Sequence, residues 1–244
     1  MIGLASLLVG ASLVGGAPND VSDDYFAAYR EAETRQKLLL VDFGSGAALQ
    51  GDPADLRRHI VCRISPHYRL EGEDRPLIEH SCFGPLRGEA GLAVVDVTGG
   101  PHHGDVVSVL PREHCSPSKV AALLSLPPGT LTQRTLCWAF LVHPERPQSV
   151  HAAPSPQLMA HCARHSGRQA AMNDQHHDMS HPGRTEIVAE SWPWNKNVVD
   201  AAIDIVWSWR QSPGHWGAAR QTWSRFGYDM KFNGEKWFAT GVFE

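Results

Sequence analysis

Three histidines stand in the polar stretch Asp174–Arg184 (DQHHDMSHPGR), at His176, His177 and His181. A fourth, His215, follows Ser212-Pro213-Gly214 directly, and Glu190 lies between them in Thr185–Ser191 (TEIVAES). A neutral imidazole offers a nitrogen lone pair and gains a proton near pH 6.5, so such residues suit metal ligation or proton transfer. Fourteen histidines in 244 residues fit either a metal site or a polar surface. The thiols offer less. Cys62, Cys82, Cys115, Cys137 and Cys162 form no C-x-x-C, and an odd number leaves at least one unpaired. A secreted disulfide scaffold is denser. Most of them read as small buried hydrophobes, with a Cys62–Cys82 bridge left open. No Gly-rich phosphate loop, G-x-S-x-G elbow or H-E-x-x-H pair is present. The formal net charge of -4 and pI near 6.4 do not suit a nucleic-acid partner.

These residues need elements to position them. A hydrophobic fraction of 42% and a charged fraction of 20% allow a normal core, in one large or two small domains. In the first half, Asp23–Gln36 has helical spacing with an Asp cap. Lys37–Phe43, His59–Ile64, Gly91–Val97 and Asp105–Leu110 are apolar runs of strand length. Ser116–Leu126 reads as a closing helix with Pro117 at its first position. Ser125–Gln133, with two prolines and a glycine, is the expected boundary.

In the second half Gln133–His143 and Ser155–Asn173 are expected helices, the latter with Leu158, Cys162, His165 or Ser166, and Gln169 or Ala170 on one face. Thr185–Ser191 reads as a strand. Asn197–Arg210 carries the stripe Val199, Ile203, Val206 and Trp209 and is the strongest helix. Pro213 and Gly214 stop it, so His215 stands at a break. Two final strands meet at Asn233-Gly234.

The first half resembles the thioredoxin-like fold. The helix leading into LLLVDFGSG carries the likeness, over about 100 residues. A redox-active member has Cys-x-x-Cys after that strand, whereas this chain reads Gly44–Gln50, GSGAALQ. Thiol exchange needs an attacking thiolate and a resolving partner, and neither stands there. The proline usual before the third strand is replaced by Gly91. The expectation is a redox-dead scaffold over residues 20–127.

Roughly residues 130 to 244 resemble the CAP superfamily of cysteine-rich secretory and pathogenesis-related proteins. The likeness rests on the succession of helix, His-bearing loop, AES, amphipathic helix, SPGHW and aromatic strands. Ser212–His215 matches the Ser-Pro-Gly-His of bacterial members. Ala189–Ser191 stands where the family has Glu followed by Asn, and Ser191 departs from that pattern. The resemblance implies an α-β-α sandwich whose loops meet at one cavity, with Glu190 and His215 as metal ligands. For the third ligand, His177 falls at the family's usual distance from Ala170–Ala171, His181 sits in the local MSHPG motif, and His176 is a further choice. Two histidines and a carboxylate suit an open divalent site, zinc first.

The fold expected is thus α+β or α/β, a thioredoxin-like domain followed by a CAP-like sandwich. Ile2–Gly16 is uncharged and too short for a comfortable membrane span, and small residues stand at Gly15 and Ala17. A signal peptide over residues 1–17 and an extracytoplasmic location are expected. The function read from this is binding of a divalent metal, small molecule, lipid or protein. The alternative is a metal-dependent hydrolase with Glu190 as general base. Each residue also has a plainer role: His215 packing beneath a helix, Glu190 on a strand surface, QHHDMSH as a solvated loop, Trp207 and Trp209 as rim and core. Asp200 and Asp204 form a solvated i, i+4 pair.

Overall fold

The computed structural model describes residues 21–49, 52–191 and 196–244. The expected leader over 1–17 lies outside them, as does Gln50 of the GSGAALQ stretch. The first sheet is built from β1 (Val21–Ser22), β2 (Leu38–Phe43), β3 (His59–Ile64), β4 (Gly91–Val95) and β5 (Val106–Pro111), in the order β1-β3-β2-β4-β5. The first three run parallel, and β4 and β5 are antiparallel to their neighbours. A strand covered on both faces reads as a continuous apolar run, and Leu39, Leu40, Val41 and Phe43 of the central β2 are all buried. Gly91 opens β4 because a Cβ there would lie 2.6 Å from the Leu110 carbonyl oxygen.

Helix α1 (Tyr25–Thr34) starts at Asp24, whose carboxylate accepts from the Ala27 amide at 2.8 Å, and it buries Ala28 and Ala32 one turn apart. A short α2 (Pro53–Arg57), absent from the sequence reading, precedes β3. Two 3₁₀ turns, Leu77–Glu79 and Ser81–Leu86, fill the long connection to β4. Helix α3 (Pro117–Ser125) closes this half. The turn after β2 holds no thiol. Gly44 and Gly46 take positive φ of 63° and 69°, and the Ser45 amide donates to Asp42 at 2.8 Å. All five cysteines are free, so the Cys62–Cys82 bridge is not formed.

Helix α4 (Leu131–Leu141) opens with a capping box: Thr130 Oγ1 accepts from the Gln133 amide, and Gln133 Oε1 accepts from the Thr130 amide. Every residue from Gln133 to Phe140 is buried. An amphipathic helix buries one stripe, whereas α4 is enclosed on all sides because both halves pack on it. Arg134 Nε donates to Ser108 Oγ of β5 at 2.7 Å, and Thr132 Oγ1 donates to Asp229 of the second sheet at 2.5 Å. One continuous apolar core runs from Ala28 to Phe243.

The second sheet contains β6 (Ala153–Pro154), β7 (Thr185–Glu190), β8 (Arg225–Phe232) and β9 (Trp237–Phe243), in the order β6-β8-β9-β7. The β8–β9 turn is at Asn233-Gly234, where Gly234 has φ 95° and Asn233 Oδ1 accepts from the amides of Glu235 and Lys236. Helix α5 (Pro156–Met172) packs so closely that a Cβ on Gly227 would meet the Leu158 carbonyl carbon at 2.4 Å. Successive strand residues face opposite ways, so Tyr228 points to the other side. There it meets Phe140 of α4 at 4.6 Å and Trp209 of α6 (Val198–Gln211) at 6.1 Å. Asp200 and Asp204 are engaged. His114 Nε2 donates to Asp200 at 2.9 Å, and Lys196 pairs with Asp204.

Candidate functional site

Helix α5 begins at Ser155, whose hydroxyl accepts from the Leu158 amide, with Pro156 at its first position. Residues four apart share a helix face, and this places His161 and His165 on the buried stripe with Leu158 and Cys162. Opposite them, β7 directs Glu186 inward. Glu186 is 7% exposed. Its Oε2 accepts from His177 Nδ1 at 3.0 Å and from the Asp178 amide at 2.9 Å. Its Oε1 lies 3.6 Å from His161 Nε2 and 3.7 Å from His165 Nε2, too long for hydrogen bonds. Glu186 Oε1 and His161 Nε2 are both buried and unpartnered.

The loop that presents His177 is pinned from several sides. His165 Nε2 donates to the His176 carbonyl at 2.9 Å, which occupies that nitrogen. Asp178 accepts from the Ser180 amide and hydroxyl at 2.9 and 2.6 Å, and Arg168 pairs with it as well. The Ser180 hydrogen bonds, with Arg168, hold the Asp178 carboxyl well below the usual carboxylate range. Burial lowers the pKa of His161 and of His165, so both favour the neutral form.

His215 reaches the same place from a third element. Ser212 both ends α6 and caps α7 (Pro213–Arg220), with Pro213 at the first position of the new helix. The expected break is therefore a pivot between two helices, and His215 sits in the first turn of the second. Its neighbour Trp216 is buried and donates Nε1–H to Glu145 at 2.8 Å. The His215 and His177 rings stand 5.8 Å apart. Burial first, then the neighbouring His177 ring, lowers the His215 pKa. His177 donates through Nδ1, so in the neutral ring Nε2 carries the lone pair, and its side chain is 47% exposed.

The sequence-expected residues are only partly brought together. His177 and His215 meet. His176 turns its ring edge-on to His165 at 5.1 Å, and its Nδ1 lies 3.2 Å from the Asp174 carbonyl oxygen. His181 closes the Asp178 turn through its amide, and its Nδ1 is buried without a partner. Glu190 is corrected most. Lys236 Nζ donates to it at 2.8 Å, and it lies four residue steps beyond Glu186, roughly 13 Å along β7. Glu186 is therefore the carboxylate at His177. Glu186 and Glu190 share a face of β7 under strict alternation, so pattern alone did not separate them. The i, i+4 spacing of His161 and His165 was a readable signal that the sequence reading passed over.

A closed structural zinc takes four protein ligands and a catalytic one usually three. Among the described residues, no group of three or more His, Cys, Asp or Glu is placed to hold a metal ion. The donors that do converge are the imidazoles of His177 and His215, with Glu186 behind His177 as an outer partner that orients the ring. This set fits an open site with two protein ligands and does not fit a closed one. In comparisons with known proteins, no family model, no curated protein and no solved structure matches the chain.

Proposed function

We propose that this chain is a binding protein, with a thioredoxin-like part lacking a redox pair over residues 20–127 and a CAP-like sandwich over 130–244. Its cleft holds a divalent metal ion, zinc most readily, between His177 and His215, with positions left open for a small ligand. The sheet order β1-β3-β2-β4-β5 and the α5–sheet–α4/α6 layering support the two resemblances. Export through residues 1–17 belongs to the same reading. The observation that carries the proposal is the approach of His177 and His215 from separate elements, with a buried carboxylate fixing the His177 tautomer.

When bound, the ion supplies Lewis acidity and open coordination positions. The chain's own groups do the rest. Glu186 holds the proton on His177 Nδ1 and so leaves Nε2 free to bind. Burial keeps His215 neutral and its lone pair available at neutral pH. Thiol chemistry is disfavoured in the first half. Burial pushes the Cys115 thiol, near Ser45 of the turn after β2, up to about 12. A binding role is favoured over the hydrolase, whose expected base, Glu190, is engaged by Lys236.

Elemental analysis after zinc loading tests this. The wild type should retain close to one metal per chain, His177→Ala and His215→Ala should lose it, and Glu190→Ala should keep it. No retained metal in the wild type, or full retention in His215→Ala, would overturn the proposal.

A further inference from the structure

A cavity elsewhere in the fold shares no lining residue with the histidine cleft. It encloses about 390 Å³ between the start of β2, the end of α2, the loop after β4, and the linker that leads into α4. Volumes of a few hundred Å³ suit small-molecule ligands. Four cationic side chains line it, those of Lys37, Arg57, Arg58 and Arg134, against the single carboxylate of Asp96. Leu38, Val107, Leu126 and Pro128 supply an apolar wall.

Arg134 makes this more than a basic patch. It is 2% exposed, yet it forms no ion pair among the described residues. Its Nε donates to Ser108, and its Nη1 donates to the carbonyls of Leu126 and Pro127 at 3.2 and 2.6 Å. Its Nη2 is buried and has no partner. A buried guanidinium without a counter-ion is a costly arrangement that an anion relieves. Arg58 is held at the rim by donation to the Leu124 carbonyl at 2.8 Å and by a looser pairing with Asp55 at 3.6 Å, outside the lining. The side chains of Lys37 and Arg57 make no hydrogen bond or ion pair among the described residues, so both remain available. Asp96 is already engaged, with Oδ1 accepting from the Thr98 amide and hydroxyl at 2.9 and 2.7 Å.

From this geometry we infer that the cavity between the first sheet and the α3–α4 linker is a binding site for a small organic anion, a carboxylate or phosphate with an apolar body. The anionic group sits against Arg134 with Lys37, Arg57 and Arg58 around it, and the apolar body lies along Leu38, Val107 and Leu126. Because both the sheet and the linker form the walls, occupancy ties the first half of the chain to α4.

Calorimetry on the full chain with octanoate, octyl phosphate and octanol tests the site. At least one anion should bind about tenfold or more tightly than the neutral alcohol, and more weakly in high salt. Whether octanoate or octyl phosphate binds better names the head group. Arg134→Gln should abolish the preference for an anion. The paired reversal Lys37→Glu with Arg57→Glu, on exposed and half-exposed positions, should weaken anion binding about fivefold or more even if Arg134→Gln does not fold. Octanol binding as well as both anions would overturn the inference, as would anion binding untouched by the paired reversal. His215→Ala should leave anion affinity at the wild-type value. Loss in that variant would locate the anion in the histidine cleft and sink the inference, without bearing on the metal proposal.

Discussion

Replacing Glu186 is the most informative perturbation of the cleft. Its Oε2 accepts two hydrogen bonds, from His177 Nδ1 at 3.0 Å and from the Asp178 amide at 2.9 Å. Hydrogen bonds to a charged group contribute about 1.5–3 kcal/mol each. His177 is nearly half exposed, so its bond counts at the low end or below. The two bonds together are then worth about 3 kcal/mol, and relief from burying a lone carboxylate returns part of that. Glu186→Ala should therefore cost about 2 kcal/mol of stability. In urea, with a slope of about 2 kcal/mol/M, the midpoint should fall by about 1 M. The effect on zinc should be larger in relative terms, because an outer-shell partner of a ligating histidine is worth about 10–100-fold in affinity. Glu186→Gln keeps the volume but cannot accept both N–H groups at one oxygen with the same charge, so it should show the affinity loss with a smaller stability loss. Competition with a chromophoric chelator reads the affinity. If Glu186→Ala binds zinc as the wild type does and melts at the same urea concentration, then Glu186 does not orient His177 and the account of the cleft is wrong.

Other outcomes follow from burial elsewhere. His59 is buried, donates Nδ1–H to the Asp55 carbonyl at 2.8 Å, and has its pKa lowered by burial from 6.5 to about 4. Its unfolded form takes a proton first as the pH falls, so stability is full above about pH 6.5 and declines toward pH 4, by about 3 kcal/mol. His161, His165 and His215 shift in the same direction. Denaturant titrations at several pH values should show His59→Gln flattening that decline, and an unchanged slope would contradict it. Gly227→Ala should destabilise by about 3 kcal/mol, since its Cβ would meet the Leu158 and Met159 backbone at 2.4 and 2.6 Å, and thermal melting would register it. Cys82 is exposed whereas Cys62, Cys137 and Cys162 are buried. A thiol reagent should therefore label Cys82 first in the native protein, and rapid labelling of Cys137 would count against the packing of α4.

The local elements follow from pattern along the chain. Apolar runs of strand length became β2 and β3, and the stripe on Asn197–Arg210 became α6, because periodicity reports which face is buried. Capping chemistry at Asp24, Thr130 and Asn197 set helix starts, since each side chain meets an amide only a few residues away. His215 was legible as a special position because Pro213 fixes φ and removes an amide donor while Gly214 beside it disfavours a continuous helix. The helix that follows was not, because Pro stops one helix and starts another equally well. The cleft exists only where segments distant in the chain meet. Whether Glu186 or Glu190 meets His177 depends on how the Asp178 turn folds over β7, a contact between segments that alternation along one strand cannot encode. The buried Arg134 is likewise a tertiary outcome. Its charge reads as surface in sequence, and it is enclosed because both halves of the chain close upon α4.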